Sequence, residues 1–410
     1  MTGAPIIVIV CAGLVLFISI GFRQTFGLFL PPVEADFGWG RESFGFAIAV
    51  QNLVWGVSQP FVGALADRFG SGRVVVGGAI LYVLGLVGMA SSETALMFAL
   101  SSGLLVGLAL SGTGFAVVLG AVARAARPER RSFMMSVAGT IGGFGQLLMI
   151  PYAQGFIGGY GWIAALLVLA ATAALIIPLA AALTGRASTE DSDRVTEQSF
   201  REALAEARRN SGYWFLNLGF FVCGFHIVFI LTHLPAYLAD RGFATEMGAV
   251  VLIVIALFNI PGALILGRLA DIYRKRSVLC ILYLARAGFL AMFVLMPMTP
   301  TTIILFGAGF GLTWLATIPL TNAVVAQLFG VRYVTTLFGI AWFIHQLGSF
   351  FGAWMGGLIF DLLGSYDLVW WFTVWLGVTS ALLHWPIEDR SDAVVERART
   401  RAVPDAGWGR

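Results

Sequence analysis

Two arginines, Arg23 and Arg286, stand inside long apolar stretches of this 410-residue chain, and none of its 22 acidic residues does. Asp67 and Asp271 fall between apolar runs, while Glu93, Asp240 and Asp361 fall at their ends. A charge at the centre of a bilayer-spanning helix costs at least about 2.5 kcal/mol on insertion scales, so each one needs a partner or a purpose. Arg23 has no acid of its own to meet. A ligand carboxylate would satisfy it through a charge-assisted, bidentate pair. The other polar residues in apolar runs are mostly hydrogen-bond donors: His226 and His233, seven apart and so on one helical face, His345 with Gln346, and the amides Gln51, Asn52, Gln146, Asn259 and Asn322. Each has a plainer reading as an interhelical hydrogen bond worth about 1 kcal/mol. Gathered around one guanidinium, they are the expected site for a small organic anion. Arg286 is expected to serve structure instead, pairing with backbone carbonyls or a helix end.

The same inventory sets other chemistry aside. No His-x-x-Glu, Cys-x-x-Cys or Ser-His-acid grouping falls in the apolar runs, so neither an enzyme, a cofactor nor a metal site is expected. Cys11, Cys223 and Cys280 read as packing residues, and His384 as an interfacial one. With no carboxylate at mid-depth, a proton that travels with the substrate would have to ride on His226, His233 or His345, since histidine changes charge near neutral pH.

Such residues need an apolar scaffold. Hydrophobic residues make up 59% of the chain and charged residues 11%, whereas a soluble domain spends about a quarter of its residues on charge. The 50 Gly and 14 Pro lie within apolar stretches, which excludes a disordered or collagen-like chain. A net charge of +3 without a long basic run gives no support to nucleic-acid binding. Crossing about 30 Å of hydrocarbon takes about 20 apolar residues per helix. Twelve spans are expected, at 5–30, 44–66, 74–92, 95–122, 133–156, 161–184, 213–239, 247–267, 277–297, 300–326, 334–360 and 367–386. The first lacks a basic leader and contains Arg23, so it reads as a permanent helix rather than a signal peptide. The fold class is all-α, with a six-helix bundle over 1–184, a charged linker at 185–212, a second bundle over 213–386 and a tail at 387–410.

The positive-inside rule orients the chain. Twenty-one basic residues flank the spans on the side shared by both termini, against Arg41 and Arg241 on the other. Both termini are expected in the cytoplasm, with the protein a monomer in the cytoplasmic (inner) membrane. Sliding the sequence by 204 residues lays Pro31 over Pro235, Gly63 over Gly267 and Asp67 over Asp271, so the segment at 65–75 meets that at 269–279. Parallel six-helix repeats of this kind build a central cavity between two bundles.

The run from Gly63 through Ala64-Leu65-Ala66-Asp67-Arg68-Phe69 to Gly70, followed by Arg73, resembles the signature loop of the major facilitator superfamily, and Gly267-Arg268-Leu269-Ala270-Asp271 is similar to its degenerate copy. The resemblance covers about residues 5 to 386. It implies two bundles around a cavity that opens alternately to each side, lined by the first, seventh, tenth and eleventh helices among others. That adds Trp314 to the expected site and brings in His226, one position from the residue aligned with Arg23. It also implies a gating set of Gly63, Asp67, Arg68, Gly70, Arg73, Gly267 and Asp271, in which Asp67 closes the cytoplasmic gate on a helix N-terminus of the other half. Ser71 and Gly72 stand where the family usually has basic residues. Within the family, carriers of small anions such as monocarboxylates, oxalate and formate fit best, with proton symport one option. The alternative is a proton-coupled drug or metabolite exporter, which would ordinarily need a membrane-embedded acid and, in the fifth helix, a Gly-Pro pair; here Pro151 follows Ile150.

Overall fold

The computed structural model describes residues 4–126, 130–183, 200–314, 316–329 and 334–387. Arg127, Arg186, Arg194, Arg332 and the tail after 387, all part of the charge count above, lie outside the described residues. No β-strand occurs among the described residues, in keeping with backbone that must satisfy its own hydrogen bonds inside lipid.

Among the described residues, twelve long helical rods stand where the spans were expected. α1 runs Ala4–Arg23, tightens into a 3-10 turn at Phe26–Phe29 and continues over Leu30–Phe37. α2 is Gly40–Phe69, α3 Ser71–Ala90 and α4 Ala95–Ala125. α5 (131–160) and α6 (162–183) are one continuous helical run bent at Gly161, whose φ of 81° suits glycine. Then follow α7 (Ser211–Asp240), α8 (Thr245–Ile272), α9 (Lys275–Leu295), α10 (Pro300–Leu312 and Thr317–Phe329), α11 (Val334–Leu363) and α12 (Asp367–His384). The linker holds a short helix the sequence reading did not foresee, Phe200–Arg209, with Ala207 on its buried side.

By length and composition, eight runs among the described residues can cross a bilayer, and one of them, Met134–Leu183, takes in most of α5 and all of α6. The polar residues that dilute α2 and α11 are Gln51, Asn52, His345 and Gln346, members of the expected site.

Small residues set the helix pairs. α1 packs on α5, where a side chain at Gly145 would overlap the Phe17 carbonyl. α7 packs on α11, where one at Gly348 would overlap the Phe221 carbonyl. These are equivalent pairs in the two repeats, and close approach of backbones is what small residues provide in lipid. Gly139, Gly143 and Gly339 face open space instead. Between the repeats, α2 lies along α11, with Gly45 against Ala353 and Gly56 against Gln346.

Candidate anion-binding site

Arg23 is the last α-helical residue before the 3-10 turn of α1. Its position at a helix C-terminus favours a cation, because the free carbonyls carry partial negative charge. The half-buried guanidinium donates from Nη2 to Asn52 Oδ1 at 2.9 Å and lies 5.1 Å from the centre of the Trp55 ring. Its buried Nε has no hydrogen-bond partner, and no ion pair to Arg23 occurs among the described residues.

From there a ring of contacts crosses to the second repeat and returns. Trp55 meets Trp342 edge-on at 5.7 Å, and Trp342 stacks on His345 at 5.0 Å with the planes 5° apart. His345 Nδ1 is 3.1 Å from Gln346 Oε1, and Gln346 Nε2 donates to the Asn52 carbonyl at 3.3 Å. Of the residues expected from sequence, the structure thus brings together Arg23, Asn52, His345 and Gln346. Gln146 joins at one remove, accepting 2.8 Å from Nε2 of Gln24, the neighbour of Arg23.

The remaining residues lie elsewhere. His226 is fully buried, with Nε2 2.9 Å from the Thr373 carbonyl of α12. His233 lies toward the opposite end of α7 from Tyr213, against Ala353 and Tyr366. Trp314 is buried and offers its carbonyl to Arg286 at 3.1 Å. Asn322 is exposed and Asn259 half-buried. Arg286 also donates to the Thr313 carbonyl, where α10 breaks, which is the backbone partner expected of it. His384 differs from its interfacial expectation. It is fully buried, stacked on Tyr283 at 5.0 Å, in room that the absent side chain of Gly219 leaves.

Trp55, Trp342 and Gln24 were missed from the sequence, although Trp55 follows Asn52 by one turn and Trp342 precedes His345 by one turn, spacings that put each pair on one face.

The side that carries Arg41 and Arg241, here called the outer side, is closed. Arg41 Nε donates to Glu34 at 2.9 Å, Nη1 and Nη2 donate to Asp240 at 2.5 and 2.7 Å, and the guanidinium lies 3.8 Å from the Phe360 ring centre. Burial works against this charge, but the hydrogen bond to Asp240, with Tyr366 and Glu34 beside it, outweighs burial and holds Arg41 above its ordinary range. Burial raises Tyr366 in turn, with Arg41 opposing. Trp354 Nε1 donates to Glu42 at 3.1 Å across the same seam.

The expected gating residues lie on the inner side. Asp67, Arg68, Arg73 and Asp271 are exposed, and a Cβ at Gly63 or Gly267 would meet nothing within 4 Å. Asp67 pairs with Arg124 of its own half at 3.3 Å, and no contact with a helix end of the other half occurs among the described residues. Arg124 also donates to Ser71, so the serine in this loop has a specific partner. Gly70 ends α2 at φ 92°, with its N–H on the Ala66 carbonyl at 2.9 Å.

This helical arrangement has relatives. The chain belongs to the Major Facilitator Superfamily, whose family model matches residues 12–353, and it is a multi-pass membrane protein of that transporter family. It is 25% identical over 362 residues to the MFS-type transporter YcxA of Bacillus subtilis (strain 168), covering 85% of this chain and 86% of that one. Monocarboxylate transporter 11 of Mus musculus is 28% identical over 366 residues (85% and 80%), and monocarboxylate transporter 13 of Rattus norvegicus 26% over 357 residues (84% and 80%). Two solved structures share the fold at a TM-score of 0.70. They are a bacterial homolog of the human lysosomal transporter Spinster, inward-facing and unoccupied, at 15% identity (93% and 94% covered), and a D-xylose–proton symporter at 16% (93% and 97%).

Proposed function

We propose that this chain carries a small organic anion of single charge, a monocarboxylate, across the cytoplasmic membrane by alternating access, with both termini in the cytoplasm. The observation that carries the reading is Arg23, a membrane-embedded guanidinium whose protein partner is a neutral amide oxygen and whose Nε is unpartnered. One cation without a counter-charge suits one carboxylate, and the ring faces of Trp55 and Trp342 supply an apolar wall for the body of the acid. The names of monocarboxylate transporters 11 and 13 add support.

Proton symport falls to His345 in this reading, because that histidine shares Trp342 and Gln346 with the Arg23 ring. An arriving carboxylate favours an imidazolium beside it, so anion and proton would bind cooperatively through one electrostatic interaction. The test is uptake of labelled monocarboxylates, dicarboxylates and organic cations into proteoliposomes, with and without an inward proton gradient. Monocarboxylates are expected to enter and to be concentrated by the gradient. Entry of the cations alone would overturn the reading in favour of an exporter-type carrier, and entry without concentration would remove the proton.

A further inference from the structure

We propose that His233 is a proton-binding site that controls the outer closure, its occupancy being passed to Arg41 through the Tyr366 hydroxyl. The hydrogen-bond directions carry this. His233 Nε2 lies 2.7 Å from the Ala353 carbonyl, which can only accept, so Nε2 carries a hydrogen. Nδ1 lies 3.0 Å from Tyr366 Oη, and Arg41 Nη1 donates to the same oxygen at 3.3 Å. Arginine has no acceptor. With a neutral imidazole, every hydrogen therefore has one place to go: Arg41 donates to Tyr366, Tyr366 to His233 and His233 to Ala353.

A proton on Nδ1 reverses the middle link. Nδ1 becomes a donor, Tyr366 Oη must accept from two cations at once, and its own hydrogen loses its acceptor. The conflict falls on Arg41, which holds Glu34 of α1 and Asp240 of α7 together with α2.

Packing adds to the effect. The His233 ring is 1% exposed and clamped between α2 and α11: a side chain at Gly356 would overlap it, and a Cβ at Gly45 would lie 3.5 Å from it. An imidazolium is poorly solvated there and gains water when α2 leaves α11, so proton binding favours the outer-open state. The titratable and charged groups around it are Tyr237 and Asp240 on α7 with Arg241 just after it, Arg41 and Glu42 on α2, Glu34 on α1, Asp361 on α11, Tyr366 in the turn and Asp367 on α12. Among these charges Arg41 acts on the ring and works against a proton on it while the closure holds, so opening relieves the imidazolium of this repulsion as well as of burial. This control acts on the outer closure itself and needs no anion, which takes it beyond the function proposed above.

The test is a spin-label distance between Glu93→Cys and Glu246→Cys, exposed positions on the outer side of the two halves, in full-length protein carrying Cys11→Ala, Cys223→Ser and Cys280→Ala. Lowering the pH from about 8 to about 5, across the ordinary histidine range, is expected to shift the distribution to longer distances. His233→Gln can keep both hydrogen bonds without taking a proton and should stay at the short distance at both pH values. Tyr366→Phe should lengthen the distance at high pH and blunt the acid shift, and it decides the matter if His233→Gln does not fold. An unchanged acid shift in either variant, or none in the parent, overturns the proposal. Arg23→Gln in the same background should respond like the parent, so failure here and failure of the anion reading are told apart.

Discussion

Asp361 at the outer end of α11 holds the first turn of α2: its two carboxylate oxygens accept the peptide N–H of Arg41 at 3.0 Å and of Glu42 at 2.8 Å. The first N–H groups of a helix have no partner of their own, and the helix dipole favours an anion there. Gly40 makes the approach possible. Its φ is 78°, and a Cβ would stand 2.6 Å from Asp361 Oδ2.

Asp361→Asn loses one of the two accepted N–H bonds and the anion at the helix start, and is therefore expected to weaken the outer closure by about 1 kcal/mol and so to raise the outer-open fraction several-fold. Alkylation of a cysteine placed on the outer face of the cavity measures it; an unchanged rate would contradict the role given to Asp361.

Asp67→Asn should behave differently. In this outer-closed state Asp67 is exposed and its pair with Arg124 is a surface salt bridge, worth about 0–1 kcal/mol, so thermal stability should hardly move. The effect is expected in the state that closes the inner side, seen as a changed balance of alkylation from the two faces with ligand affinity little altered. Equal accessibility in wild type and variant on both faces would count against Asp67 as a gate.

The glycines of α5 offer a matched pair. Gly145→Ala drives a methyl into the Phe17 carbonyl, and overpacking of this kind costs about 1–3 kcal/mol. Gly143→Ala, two residues earlier, meets nothing within 4 Å. Thermal unfolding in detergent should separate the two by several degrees, and equal stability would mean that α1 and α5 do not pack as described.

Much of this was legible in the sequence, and for physical reasons. Hydrocarbon thickness fixes span length, so twelve helices could be placed from apolar runs alone, with the ends of α1 and α2 several residues beyond expectation. The cost of a buried charge singled out Arg23 and Arg286, and both lie where carbonyls or amides can reach them. Helical periodicity could not say which residues face the same space. His226 and His233 share a face of α7, yet one meets α12 and the other the outer turn, because the partners come from helices more than 100 residues away. A carboxylate at a helix end that the sequence did not reveal is Asp361 on the outer side, a pairing 320 residues apart that no local pattern announces.

If Arg23 holds the anion, direct binding shows it. Titration of a simple monocarboxylate into the purified protein should show saturable binding in wild type. Arg23→Gln should bind at least tenfold more weakly, since a hydrogen bond to a charged group is worth about 1.5–3 kcal/mol. Expression should stay near normal, because the variant removes a costly membrane charge. Wild-type affinity in Arg23→Gln would contradict the account.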